Sequence, residues 1–206
     1  MAIDRNKIIE HLSKIDIKGN DEGLIPAFNV LVNQLPADFW AQFTKRILNA
    51  VPTELQEAAW GLLYNAAAEC GYNTGYGIIT SEEWKAVVEP MVEKGAEDIL
   101  HGAYAVFTAW GWANAEIVEL IPNEKMVVRA YDYYEADCIP EKNSPLPMAP
   151  MITGVSAGFM DLAYGEAYPN GFGTFICKQT KGIEKGDEYG EFVVTRTDAA
   201  DDFTFI

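Results

Sequence analysis

The stretch MITGVSAGFMDLAYG, residues 151–165 of this 206-residue chain, is largely apolar and rich in small residues. Small side chains at this spacing let the backbone of a neighbouring element approach closely. The stretch therefore predicts a helix that is buried in the core of the protein.

The apolar pattern changes to that of β-strands on both sides of this helix. AEIVELI (115–121) and KMVVRAYDYY (125–134) flank a turn at Pro122 and Asn123, and they predict a β-hairpin. GTFICKQT (173–180) and EYGEFVVTR (188–196) predict a second hairpin around the Gly-Asp pair at Gly186. The proline-rich CIPEKNSPLPMAP (138–150) predicts a loop between the first hairpin and the helix.

The first half of the chain carries helical patterns. Helices are predicted over residues 4–14, over residues 36–49 with Pro36 in the first turn, and from Pro52 to an end at Gly71. The glycine-rich GYNTGYG (71–77) is predicted to be a loop or a helix end. Ser81 is predicted to cap a helix that Pro90 breaks, and a further helix is predicted over residues 96–110.

This order of elements predicts an α+β fold, an antiparallel sheet with helices packed on it. We predict three parts in the chain. Residues 1–49 form an N-terminal helical segment that offers a dimerisation face, residues 50–196 form the main domain, and residues 197–206 form an acidic tail.

Composition argues against several classes of partner. The net charge is −16, which repels phosphate backbones and anionic membranes. No apolar stretch reaches the roughly 20 residues that a membrane span requires, and the N-terminus lacks the pattern of a signal peptide. We therefore expect a cytoplasmic protein with no nucleic-acid or membrane partner. Cys70, Cys138 and Cys177 are widely spaced, which argues against a disulfide framework and a zinc ribbon.

The sequence contains no catalytic motif. Only two histidines are present, without a HExxH, P-loop or Ser-His-Asp arrangement, so the sequence gives no reaction type and favours a chain without activity of its own. Asp132, Glu135 and Asp137 could ligate a hard cation, but we expect these acids at a strand end to be solvated.

The aromatic residues form the candidate ligand site. Tyrosine and tryptophan combine an apolar body with a polar tip, which suits an apolar pocket for a small aromatic or alicyclic ligand. For each single residue, core packing without a ligand is the alternative. The residues predicted to line the pocket are Phe107, Trp110, Trp112, Tyr131, Tyr133, Phe159 and Phe175.

Several of these segments together resemble the 4-vinyl reductase domain family of small-hydrocarbon-binding proteins. The resemblance covers residues 50–196 and rests mainly on GVSAGFMDLAYG (154–165) and KGDEYGEFVV (185–194), preceded by AWGWANAEIVEL (109–120) and YDYYEAD (131–137). The family includes sensor domains of phenol- and xylene-responsive regulators, and its fold is shared with subunits of a vesicle-tethering complex. The resemblance implies the same fold and a pocket for a small hydrophobic ligand.

Many members of this family hold zinc with three cysteines and an acid. The positions that match these ligands are Gly182, Gly190, Ala149 and Gln179. Glycine, alanine and a neutral amide do not supply the thiolates and the carboxylate of such a site. The resemblance therefore implies that the zinc site is lost, and we expect no metal and no cofactor.

Three functions remain open at this point. The first is a stand-alone binding protein for a small hydrophobic, aromatic ligand, acting as a homodimer and passing a signal to a larger protein partner. The second is an accessory or catalytic subunit of an enzyme of aromatic or tetrapyrrole metabolism, which docks on a basic partner through its acidic surface. The third is a scaffold or interaction protein with a filled core and no pocket.

Overall fold

The architecture is a four-stranded antiparallel sheet with helices packed against its inner face. A computed structural model describes residues 3–15, 17–137 and 147–197. The helices in these ranges are α1 (Arg5–Leu12), α2 (Ala37–Ala50), α3 (Gln56–Ile79), α4 (Glu82–Val87), α5 (Ala96–Ala109), α6 (Tyr134–Asp137) and α7 (Pro150–Tyr164). The strands are β1 (Ile25–Ala27), β2 (Val30–Val32), β3 (Ala113–Ile121), β4 (Lys125–Tyr133), β5 (Phe175–Lys181) and β6 (Gly190–Arg196).

The main sheet has the strand order β3–β4–β6–β5, and every neighbouring pair is antiparallel. Side chains alternate between an inner face, which the helices cover, and an outer face with charged residues. Ala115, Val128, Phe192 and Cys177 lie on the inner face and are buried. Both predicted hairpins and the predicted α+β class are therefore confirmed.

Helix α7 is the buried helix that its small residues predict. All its residues from Ile152 to Asp161 are buried, because it packs against α3 on one side and against β5 and β6 on the other. A Cβ atom built on Gly158 would lie 2.7 Å from the backbone nitrogen of Tyr72, which is closer than real Cβ atoms approach. The two helices therefore pack backbone against backbone.

Helix α3 does not end at Gly71, and that prediction is wrong. The helix continues through GYNTGYG to Ile79. A Cβ atom on Gly71 would lie 2.8 Å from the Cα atom of Val155 in α7, and one on Gly77 would lie 2.6 Å from a methyl group of Val30. These glycines allow neighbouring elements to approach a continuous helix, so they do not mark its end.

The predicted helix boundaries around Ser81 and Pro90 are confirmed. The Ser81 hydroxyl accepts a hydrogen bond from the Trp84 backbone N–H at 3.1 Å, as an N-cap does. Helix α4 then ends at Val87, and Pro90 lies in a 3₁₀ turn over Glu89–Met91.

Within the described residues, no helix is both long enough and apolar enough to cross a membrane.

A second, smaller hydrophobic core joins the N-terminal elements to α5. Ile8 of α1 and Phe28 of the β1–β2 hairpin pack in it with Trp84. The sequence patterns do not predict this hairpin, whose turn residues Phe28 and Asn29 have positive φ angles of 51° and 58°.

The division of the chain after residue 49 stays a prediction. The predicted loop 138–150 and tail 197–206 lie outside the described residues, apart from 147–150 and Thr197.

Candidate functional site

Three of the seven predicted site residues meet in the main core. Phe107 lies in α5, Trp112 directly precedes β3, Phe159 lies in α7, and Tyr104 of α5 completes the group. The ring centroid of Phe107 lies 5.2 Å from that of Trp112 and 6.2 Å from that of Phe159. The ring centroids of Tyr104 and Phe159 are 5.5 Å apart. We call these four residues the aromatic cluster. Their mostly edge-to-face contacts are those that aromatic side chains favour in cores.

The aromatic cluster contains one buried polar group, the Tyr104 hydroxyl. It donates a hydrogen bond to the Ser156 hydroxyl at 2.7 Å, and Ser156 donates to the backbone carbonyl of Ile152 at 2.7 Å. Burial raises the pKa of Tyr104 well above its usual value, so this phenol stays neutral. The pair is thus a satisfied hydrogen-bond chain within apolar surroundings.

A small apolar gap adjoins the aromatic cluster where α3, α5 and α7 meet. Its volume is about 10 Å³, close to the space of a single water molecule. Phe159 belongs to both the gap and the aromatic cluster, and it therefore forms the wall between them. The gap is lined by Gly75, Ile78, Ile79, Ile99, Leu100, Ala103, Phe159, Leu162 and Ala163.

The other four predicted site residues lie outside the aromatic cluster. Trp110 packs edge-on against Phe28 in the second core, at 4.9 Å between ring centroids. Tyr131 is 46% exposed on the outer face of the sheet. Phe175 lies under the guanidinium group of Arg196, and Tyr133 lies in a polar cluster described below. The seven residues therefore do not line one cavity, and their role as ligand contacts stays a prediction.

A buried polar cluster forms around the carboxylate of Glu184, in the 3₁₀ turn over Ile183–Lys185. Its Oε1 accepts from the Gln179 side-chain amide at 2.6 Å and from the Met148 backbone N–H at 3.1 Å, and its Oε2 accepts from the Tyr133 hydroxyl. Burial, followed by the charge of Glu184, raises the pKa of Tyr133, which therefore acts as a neutral donor. We call Glu184, Tyr133 and Gln179 the carboxylate cluster.

The four positions that the sequence resemblance pairs with zinc ligands lie in or beside this cluster. A Cβ atom on Gly182 would lie 2.6 Å from the Gln179 amide nitrogen, and one on Gly190 would lie 2.7 Å from the Tyr133 ring. Ala149 follows Met148 in the chain and is fully buried. Side chains larger than hydrogen at the two glycines would displace the carboxylate cluster. In the described part of the chain, no group of three or more His, Cys, Asp or Glu side chains could hold a metal ion.

The second buried carboxylate belongs to Glu135, which corrects the expectation that it is solvated. It is only 2% exposed and accepts hydrogen bonds from the backbone N–H groups of Met151 and Ile152, both at 3.0 Å. Burial raises the pKa of Glu135 to about 8, and the neighbouring charge of Glu184 adds to this shift. Asp132, by contrast, is exposed as expected.

The sequence did not indicate that Glu135 and Glu184 are buried members of a site. Glu184 lies in the charged stretch KGIEKGDE, whose composition indicates a solvated turn. Glu135 lies at the end of a strand among other acids. Nothing in either segment indicates that its partners are backbone groups at the start of α7, because those contacts join residues that are distant in sequence.

The structure is an α+β domain with the aromatic cluster in its core. Among solved structures, the chain is similar to the phenol-responsive sensory domain of the transcription activator PoxR with phenol, with a TM-score of 0.70 and 12% identity, over 96% of this chain and 92% of that one. The fold is therefore that of the phenol-sensor domain.

A trafficking protein particle complex subunit 3 from Naegleria fowleri, covalently bound to palmitic acid, matches with a TM-score of 0.49 and 14% identity. That match spans 81% of this chain and 98% of the subunit. No family model and no curated protein matches the sequence.

Proposed function

We propose that this chain is a binding protein for a small hydrophobic, aromatic ligand and a member of the 4-vinyl reductase domain family that lacks the zinc ligands. The observation that carries the proposal is the apolar gap beside the aromatic cluster. The phenol-responsive sensory domain, whose fold the chain shares, was crystallised with a ligand of this class. The proposed contacts are Phe107, Trp112 and Phe159.

The chemistry of the gap favours an apolar guest. An apolar cavity stays dry, so a hydrocarbon that enters it loses unfavourable contacts with water without displacing bound solvent. A volume of about 10 Å³ does not accommodate a benzene ring, so the ligand must displace Phe159 and Leu162 from their present positions. Displacing Phe159 joins the gap to the aromatic cluster and brings a ligand hydroxyl within reach of Tyr104.

The proposal extends to assembly. Phe39 and Phe43 of α2 are 47% and 41% exposed, and the rings stack on each other at 6.2 Å. An exposed pair of aromatic rings in residues 1–49 supports this segment as the dimerisation face of a cytoplasmic homodimer. A ligand signal would then pass to a separate protein partner.

A scaffold is the second candidate function, and one observation favours it. The gap of about 10 Å³ beside the aromatic cluster is far smaller than ligand sites in proteins, which usually measure about 300–1,000 Å³. A scaffold needs no larger space, because its partners bind to the surface.

The two candidates are separated by a thermal-shift screen with phenols, alkylbenzenes, short fatty acids and a porphyrin, each with and without zinc. A ligand at a hundredfold excess over its Kd stabilises the folded state by roughly 2.7 kcal/mol. For a chain of this size, each kcal/mol raises Tm by roughly 2–4 °C. We expect a shift with monocyclic aromatics. The absence of a shift with every compound would favour the scaffold.

Replacing Gly75 with alanine is expected to weaken ligand binding at least about tenfold while leaving the protein folded. A Cβ atom there would lie 3.0 Å from the end of the Leu162 side chain, so the methyl group enters the gap and Leu162 can adjust. Alanine also favours the helix over glycine by about 1 kcal/mol. Isothermal titration with the best ligand of the screen measures the change in Kd.

The matched control for this variant is Gly19→Ala, because a Cβ atom on Gly19 meets nothing within 4 Å. It should bind the ligand as the unmodified protein does. Equal affinities of Gly75→Ala and the unmodified protein would place the ligand elsewhere in the molecule.

A further inference from the structure

The start of α7 is held by two carboxylates from other parts of the chain. Glu184 accepts from the Met148 N–H, and Glu135 accepts from the N–H groups of Met151 and Ile152. The N-cap residue of α7, Ala149, has no side chain that could satisfy these donors. The first turn of α7 therefore depends on Glu135 for its hydrogen bonds, and Glu184 holds the backbone just before the helix.

Neither carboxylate has a positive partner among the residues that the structure describes. Both side chains are only 2% exposed, and no lysine, arginine or histidine of the described residues forms an ion pair with them. Burying a carboxylate without a counter-charge is costly, and two such charges close together also repel each other. One of the two therefore has a strong tendency to take up a proton.

The surroundings of the two groups indicate which one carries the proton. Glu184 accepts hydrogen bonds from three donors, the Tyr133 hydroxyl, the Gln179 amide and the Met148 N–H. Glu135 has two backbone donors and the charge of Glu184 beside it, and burial raises its pKa to about 8. Glu135 is thus the member of the pair that is protonated at neutral pH.

In the described part of the chain, no cationic side chain of the neighbouring elements, including the half-buried Lys45 of α2, forms an ion pair with Glu135 or Glu184. From β4, the neutral Tyr133 faces Glu135, and the 3₁₀ turn contributes Glu184. Helix α7 contributes backbone N–H groups and has no acidic residue in its first turn. Helix α2 also packs against α6, and the residues that it buries, Ala41, Thr44 and Leu48, do not titrate.

We propose that the start of α7, residues 148–152, is a proton-dependent latch: it is closed while Glu135 is protonated, and its opening releases the proton to solvent. In the open state residues 148–152 separate from Glu135 and Glu184, and both carboxylates become hydrated. The inference does not depend on the proposed ligand, since it rests on hydrogen bonds and burial at the other end of α7 from the apolar gap.

The direction of the pH dependence follows from the raised pKa of Glu135. The closed state binds the proton more tightly than the open state, in which the group has the ordinary value of 4.5. The closed latch is therefore most stable below pH 4.5. It loses stability as the pH rises to about 8, and above that pH its stability no longer changes. Within this window, opening becomes about tenfold more frequent per pH unit.

Hydrogen exchange of the full chain, followed by mass spectrometry from pH 6 to 8.5, tests the latch. After correction for the intrinsic base-catalysed rate, the peptide covering residues 148–155 should open about tenfold more often per pH unit up to about pH 8. A peptide of β4 covering residues 126–130, which contain no acid and no histidine, serves as the internal control and should show no such slope. A flat profile for residues 148–155 in the unmodified protein would overturn the proposal.

Glu135→Gln keeps the shape of the side chain and removes its proton equilibrium, so it should abolish the slope. Glu184→Gln removes the neighbouring charge and should move the levelling-off point to lower pH. The exposed Glu124→Gln is the control and should leave the profile unchanged. An unchanged slope in Glu135→Gln would assign the pH dependence to another group and would refute the latch.

Discussion

Replacing Gly158 with alanine is expected to destabilise the protein by about 3 kcal/mol, the upper end of the usual cost of overpacking a core. The added methyl group would meet backbone atoms of Ala68 and Tyr72 in α3, and backbone atoms cannot turn aside as a flexible side chain can. The same change in an exposed helix stabilises by about 1 kcal/mol, so the sign of the effect is diagnostic. Urea denaturation measures it.

Two controls make this result interpretable. Gly19→Ala adds the same methyl group in open space and should change stability by less than about 0.5 kcal/mol. Gly75→Ala adds it within α3 next to a side chain that can move, and it should be much milder than Gly158→Ala. A neutral or stabilising effect of Gly158→Ala would contradict backbone-to-backbone packing of α3 and α7.

The glycines also show how far the sequence could predict the fold. Small residues in an apolar stretch correctly predicted that α7 is buried. The same residue type was misinterpreted at Gly71, because glycine favours both a helix end and a close helix contact. Only the position of Val155 decides between these alternatives, and that position depends on the packing of two helices that are distant in sequence.

The candidate site was less predictable than the fold, and Tyr131 and Tyr133 show why. Both residues have odd numbers on the same strand, so strict alternation places them on one face of the sheet. A bulge in the pairing of β3 with β4 shifts the register between Asn114 and Ala115, and it turns Tyr131 outward while Tyr133 stays inside. Nothing in the sequence indicates the bulge.

The β1–β2 hairpin was missed because its turn lacks the usual composition. Turns of this type favour Asn-Gly or Asp-Gly, since both central residues need positive φ angles. Here Phe28 and Asn29 take those positions. A bulky residue at positive φ costs roughly 1–2 kcal/mol, so its burial must supply more than that. The energetic reason for the hairpin therefore lies in the core that Phe28 enters.

Replacing Phe28 with alanine is accordingly expected to cost about 3–5 kcal/mol, the range for large-to-small substitutions of buried phenylalanine. The ring is 1% exposed and packs edge-on against Trp110, whereas alanine keeps the unfavourable φ angle and loses these contacts. The hairpin has few other buried side chains. The change should therefore also free residues 25–32 for cleavage by limited proteolysis before the remaining fold unfolds in urea.

Leu31→Ala separates anchoring by Phe28 from a general effect of shortening an apolar side chain in the hairpin. Leu31 is 67% exposed, so its replacement should change stability by less than about 0.5 kcal/mol and leave proteolysis unchanged. If both variants lost similar stability, the hairpin would be held along its whole length and Phe28 would not be its anchor. If only Phe28→Ala lost stability, burial of one ring would explain why a two-stranded hairpin with an unfavourable turn persists.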